Sequence, residues 1–255
     1  MRRKFNRGAF TLIELLVVVG VILVLAALLM PVGKSVLAAS KASRCAANLR
    51  QISVGIFLYA GEHDGTLPYG YNAPDPNTVV PKQADSCWDT LIMPYLLSDL
   101  PSNLMKAEAP YLKCPGDTTP AQGASNGTSR RSYSMIRNAY GHGSPPYGVG
   151  MYNLWTPNLS TVAGVRLTAI PNKAATAMIT DSSNTANEVG GTACACIDYP
   201  NQQATSADCV RMHGGKFNYL FVDGHIEFLD PKQTYGSGSM TDPRGIWSSG
   251  ITVGH

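Results

Sequence analysis

A single carboxylate, Glu14, interrupts the otherwise apolar run FTLIELLVVVGVILVLAALLMP at residues 10–31. A charge inside a membrane helix costs about 2.5–3.5 kcal/mol on insertion scales, so Glu14 calls for a cationic partner. A second set of chemically capable groups, His213, Asp223 and His225, lies within HGGKFNYLFVDGHIEFL at residues 213–229. Two imidazoles and a carboxylate make a conceivable metal site. Asp223-Gly224, however, already has a role as turn residues, and His213 can bond nearby backbone. The third set is six cysteines: Cys45, Cys87, Cys114, Cys194, Cys196 and Cys209.

An even cysteine count in a chain with an export-like N-terminus reads as up to three disulfides, with the pairing left open. Zinc is the poorer reading. Cys194 and Cys196 lack the two-residue spacer of zinc knuckles, and Cys87 and Cys114 have no Cys or His close by in sequence. Cys194, Cys196 and Cys209 fall in one long loop and look like staples. Catalytic signatures are missing from the sequence: there is no G-x-S-x-G, no H-E-x-x-H and no phosphate-cradling glycine loop. An enzyme is not expected. Tyr69, Tyr71, Trp88, Tyr147, Trp155 and Trp247 would either form a sugar- or surface-binding patch or anchor loops to the core, the commoner role.

The elements that must position these groups begin with a basic head, Arg2, Arg3, Lys4 and Arg7, ahead of the apolar run. The net charge of +3 resides there; residues 10–255 carry 16 basic against 17 acidic side chains. No basic stripe with interleaved aromatics remains, so nucleic acid is not an expected partner. Basic head followed by apolar core is also the order of an ordinary signal peptide, with VLAASKAS (36–43) as a loose cleavage site, but that reading leaves Glu14 unexplained. A cut before Phe10 explains it. The new α-amine would lie one helical turn from Glu14, and a neighbouring copy staggered by a turn would set its own Glu14 against that amine.

The 23 residues from Phe10 to Val32 are long enough to span about 30 Å of hydrocarbon. Beyond them Cys45, Leu49, Ile52, Ile56 and Tyr59 mark one helical face, with Lys41, Asn48 and Gln51 opposite, and Gly61 followed by EHDG supplies a stop. One helix of about 50 residues results, the alternative being two helices broken at Pro31. From residue 61 the chain is turn-rich. Residues 66–77 and 115–129 read as loops, and 88–97 as a short amphipathic helix ending near Pro94 or carried past it. Residues 130–141 read as a strand, and 174–183 as a buried strand emerging at Asp181. Asp223-Gly224 predicts a two-residue type I′ hairpin, pairing Tyr219 with Phe228 and Phe221 with Ile226 on one face.

The run at 10–31 behind a short basic leader resembles the class III signal of type IV prepilins and type II secretion pseudopilins. The resemblance implies a leader (1–9), a transmembrane or filament-core helix (10–32), an amphipathic second half (33–60) and a globular head (61–255). The implied fold is α+β and pilin-like, a long N-terminal helix packed on a C-terminal antiparallel sheet with long loops. It also implies cleavage between Ala9 and Phe10, methylation of the Phe10 amine, a role for Glu14 in assembly and a kink or melted region at Pro31. The family usually has Gly where Ala9 stands; Gly8 lies one place earlier, and a cut there would move the amine one residue further from Glu14.

His213, nine residues, then Asp223-Gly224 matches the H-X9-DG motif of a subset of prepilin-like proteins. RCAANLRQISVGIFLYAGEHDGTLP (44–68), LKCPGD (112–117) and SYSMIRNAYG (132–141) resemble that subset too. The implied partners are further copies of the chain, a prepilin peptidase, an inner-membrane assembly platform and, before assembly, the lipid bilayer. The implied location is the inner membrane with the head in the periplasm, then a periplasmic or extracellular filament. No cofactor is expected. Calcium, which major pseudopilins bind in the head, would fall to acidic loop residues among Asp117, Asp181, Asp208 and Asp223. The reading is a structural filament subunit; a minor or tip pilin with an adhesin-like head, and a membrane-anchored secreted enzyme, are the alternatives.

Overall fold

The structure is a computed structural model describing residues 11–73, 87–99, 109–120, 122, 128–138, 150–154, 164–191, 196–241 and 243–249, with backbone alone at 28–35, 71–73, 138 and 150–154. Contacts divide the chain into two units, Met1–Ser40 and Lys41–His255. Helix α1 (Leu12–Glu62) is a single α-helix of 51 residues, helical without interruption through Pro31. The alternative of two helices broken at that proline is therefore set aside. In its first unit every described side chain from Thr11 to Ala27 is exposed. Among the described residues no helix is long and apolar enough to cross a membrane. The described side chains of the apolar stretch stop at Ala27, short of the apolar sequence itself.

In the second unit, α1 buries Cys45, Leu49, Ile52, Ile56 and Tyr59, the stripe expected from their spacing. Asn48, expected on the opposite face, instead donates from Nδ2 to the Lys113 carbonyl at 2.9 Å and to the Tyr133 hydroxyl at 3.2 Å. The helix ends where Asp64 (φ 52°) and Gly65 (φ 72°) turn left-handed and the Gly65 amide donates back to the Ala60 carbonyl at 2.8 Å. Helix α2 (Trp88–Leu96) carries past Pro94.

The sheet has strands β1 (Tyr71–Ala73), β2 (Tyr133–Asn138), β3 (Gly150–Leu154), β4 (Ala177–Asp181), β5 (Cys196–Ile197), β6 (Phe217–Phe221) and β7 (Ile226–Leu229). They run in the order β1-β3-β2-β4-β6-β7, with β5 also on β2. The pairs β2–β4, β4–β6 and β6–β7 are antiparallel as expected. The pairs β1–β3, β2–β3 and β2–β5 are parallel, so the sheet as a whole is mixed rather than antiparallel. Two short helices, α3 (Asn201–Ala204) and α4 (Ala207–His213), lead into β6. Strand β4 is buried throughout, and Asp181 ends it at 0% exposure rather than emerging from it.

The β6–β7 hairpin differs from expectation by one residue. Its loop is Val222-Asp223-Gly224: the Gly224 amide donates to the Phe221 carbonyl at 2.9 Å, and Phe221 pairs with His225. Gly224 takes φ 94°, whereas Asp223 keeps a negative φ. That is a three-residue loop closed by a left-handed glycine, not a type I′ turn. Leu220 therefore faces Ile226, and Tyr219 faces Glu227. A one-residue slip exchanges the two faces of a strand. Here β6 is buried on both sides, so its side chains hold no alternation from which to choose the register.

Candidate functional site

Two sets of residues gather chemistry, one in each unit. In the first, Thr11 precedes the first helical residue of α1 and Glu14 sits in its first turn. The Thr11 amide and hydroxyl each donate to Glu14 Oε2 at 2.9 Å, and the Glu14 amide donates to Thr11 Oγ1 at 3.4 Å. This is a capping box, in which side chains at the helix start reciprocally satisfy amides that have no intrahelical partner. Glu14 thus has a local role within the single chain. The T-x-x-E spacing of Thr11 and Glu14 is itself the sequence signal of this box. Ala9 and Phe10, where cleavage and methylation are expected, lie outside the described residues.

In the second unit the Cys45–Cys114 disulfide joins α1 to the turn at 114–117 across 69 residues of sequence. His213, the last residue of α4, is set over it by left-handed Gly214 (φ 68°) at the helix C-cap. Its Nε2 lies 3.1 Å from Cys114 Sγ and 3.5 Å from Asp181 Oδ2. The turn reaches this close because residue 116 is glycine; a Cβ there would come within 2.5 Å of the Met212 carbonyl oxygen. Asp181 Oδ2 accepts from both the amide and Nδ2 of Asn218 at 2.8 Å. Burial pulls the His213 imidazole down to about 4, partly countered by Asp117. Burial likewise pushes the Asp181 carboxyl up to about 7 against the Asn218 hydrogen bonds. Burial disfavours the charged form of both groups, which weakens their 3.5 Å approach as an ion pair. Among the described residues, His213 Nδ1 and Asp181 Oδ1 have no hydrogen-bond partner.

The sequence-selected residues of the hairpin part company. His213 stands before β6 and packs edge-on against Phe228 at 6.1 Å, while Asp223 and His225 sit at the other end of that strand. Five strand residues separate them by about 13 Å or more. Asp223 Oδ1 accepts from the His225 amide at 3.1 Å and meets its Nδ1 at 2.5 Å; the His225 ring stacks on Phe221 at 4.1 Å. The calcium candidates Asp117 and Asp208 already have protein partners. Asp117 accepts from Arg130, Ser132 and Ser183, and Asp208 pairs with Arg211.

Of the cysteines expected to pair, Cys87, Cys196 and Cys209 are free thiols, and Cys194 lies outside the described residues. Cys87 and Cys209 donate instead to the carbonyls of Gly191 and Ser183. Trp88 and Trp247 are fully buried and present no face to a ligand; Trp88 lies under the Arg131 guanidinium at 5.7 Å. Arg131 itself pairs with Asp89 at 2.8 Å, both fully buried. Tyr147 and Trp155 lie outside the described residues.

A long helix, apolar at its start and amphipathic where it packs on a mixed sheet, is an α+β architecture of the pilin-like kind. Residues 4–30 match the family model described as a prokaryotic N-terminal methylation motif, the mark of a prepilin-type N-terminus. No curated protein and no solved structure matches the chain.

Proposed function

We propose that the chain is a structural subunit of a type IV pilus-like or type II secretion pseudopilus-like filament. A prepilin peptidase cuts between Ala9 and Phe10, the new amine is methylated, and α1 inserts in the inner membrane with the head in the periplasm. An assembly platform then extracts the helix into a filament core. The observation that carries this reading is the methylation motif over residues 4–30, with Glu14 one turn into the helix it opens.

On assembly Glu14 exchanges its Thr11 capping contacts for the amine of a neighbouring copy. A charge pair shielded from water stabilises only when both members are present, which selects one stagger between copies. Large exposed apolar side chains from Leu12 to Leu25, between 47% and 83% accessible, give lipid or neighbouring helices the surface they would cover. In the H-X9-DG motif, His213 and Asp223-Gly224 hold opposite ends of β6 against the rest of the head.

Intact-mass measurement of the protein made in a host with a prepilin peptidase tests the proposal. The expected species lacks residues 1–9 and carries one extra methyl group. A mature chain retaining the leader, or one cut after residue 39 or beyond, overturns it.

A further inference from the structure

We propose that Cys45, Cys114, His213 and Asp181 form a redox-gated site for one zinc-class divalent cation, closed while the disulfide stands and opened by its reduction. The donor atoms of Cys45, Cys114 and His213 lie within 4.8 Å of one another. The Asp181 carboxylate stands on the same imidazole nitrogen, 3.5 Å away. Two thiolates, one imidazole and one carboxylate are the donor set and number of a tetrahedral zinc site. Ligand atoms around such an ion are about 3.3–3.8 Å apart, given metal–ligand distances of 2.0–2.3 Å. The nitrogen meets that spacing to the Asp181 oxygen at 3.5 Å and is a few tenths of an ångström short of it to Cys114 Sγ at 3.1 Å. On reduction the two sulfurs separate by side-chain rotation, their Cα atoms being 5.1 Å apart, and the Asp181 carboxylate swings in toward them, since only the two sulfurs and the imidazole already lie within 4.8 Å of one another.

A second observation points the same way. The four side chains are at most 1% exposed, yet Asp181 Oδ1 and His213 Nδ1 lack partners among the described residues. Buried polar groups are ordinarily satisfied, and a disulfide, a weak acceptor at best, has no use for a carboxylate–imidazole pair beside it.

The opening step balances with a dithiol reductant. Its two S–H groups supply two electrons and two protons and close to an S–S bond, while the Cys45–Cys114 bond breaks to two thiols. Cation binding then releases those two protons to solvent. The consequence is a head that keeps α1 tied to the 114–117 turn in either state, by sulfur–sulfur bond or through the metal.

The test uses the full chain in detergent micelles, reduced with dithiothreitol, freed of it under argon and titrated with Co²⁺. The expected result is one equivalent per chain, with thiolate charge-transfer absorption and the intense visible bands of tetrahedral cobalt, lost on adding Zn²⁺. The oxidised protein should take up none. His213→Ala, with its fold checked by circular dichroism, should weaken binding about tenfold or more, and Cys87→Ser should leave it unchanged. Absence of stoichiometric uptake by the reduced protein overturns the proposal. So does uptake that survives His213→Ala undiminished, or that disappears with Cys87→Ser, since the remaining thiols would then be the ligands.

Discussion

The two stretches of α1 are made of similar side chains and meet opposite fates. From Leu12 to Leu25 its large apolar residues are all exposed, Leu12 by 83% and Val19 by 47%. From Cys45 to Ile56 the stripe of Cys45, Leu49, Ile52 and Ile56 is buried completely. The first stretch is apolar on every face, so no single packing surface of its own chain could cover it; the second alternates a narrow apolar stripe with polar residues. The difference separates two sources of stability. The head relies on a core and a disulfide within the chain, and the start of the helix relies on whatever apolar surroundings it enters.

That separation can be broken from either side. Glu14→Gln keeps a side chain able to complete the capping box with Thr11 but removes the charge. Filament formation should be lost while the melting temperature of the head is unchanged, as read by filament yield and by calorimetry. Assembly at wild-type level would show that the carboxylate serves only its own helix. Arg131→Met should do the reverse. Stranding Asp89 in the core should cost about 3–5 kcal/mol in a denaturant titration, with leader cleavage at Phe10 unaffected.

Smaller effects sharpen the account of the hairpin. Gly224→Ala forces a side chain into left-handed backbone, with its Cβ at 3.4 Å from the Phe57 ring on α1. A loss of about 1–2 kcal/mol is expected on chemical unfolding; no loss would mean that the loop relaxes to another turn. Asp223→Ala should have the smallest effect, within about 0.5 kcal/mol, because the group is close to solvent. Burial is the largest single influence and raises the Asp223 carboxyl, but the ring and amide of His225 together outweigh it and hold it below the usual carboxylate range. Its contribution is thus present above the ordinary carboxylate pKa and fades as pH falls through the lowered value. Amide exchange at His225 measured against pH should lose that acid dependence in the variant.

Much of the architecture was legible because its signals are local. The stripe from Cys45 to Tyr59 steps with the helical period, and strand β4 reads as a short apolar run. The hairpin is legible in the sequence but its register is not, since burial of both faces of β6 removes the alternation that would choose between neighbouring registers. In the sequence Asp181 reads as the solvent end of a strand, because a carboxylate after an apolar run ordinarily marks a surface. Nothing local shows that Asn218 and His213 would meet it in the interior. The cysteines invite pairing by number, yet among the described residues Cys87, Cys196 and Cys209 are free thiols.

The sequence by itself determined the long helix, the apolar and amphipathic halves within it, the isolated carboxylate at Glu14 and the motif over residues 4–30. Each depends on residues within a few turns of one another, where period and spacing are direct consequences of backbone geometry. Tertiary structure alone decided which cysteines pair, the mixed direction of the sheet, the hairpin register and the meeting of Cys45, Cys114, Asp181 and His213. Those four residues come from α1, a turn, β4 and the end of α4. Only packing brings positions so distant in sequence within hydrogen-bonding reach.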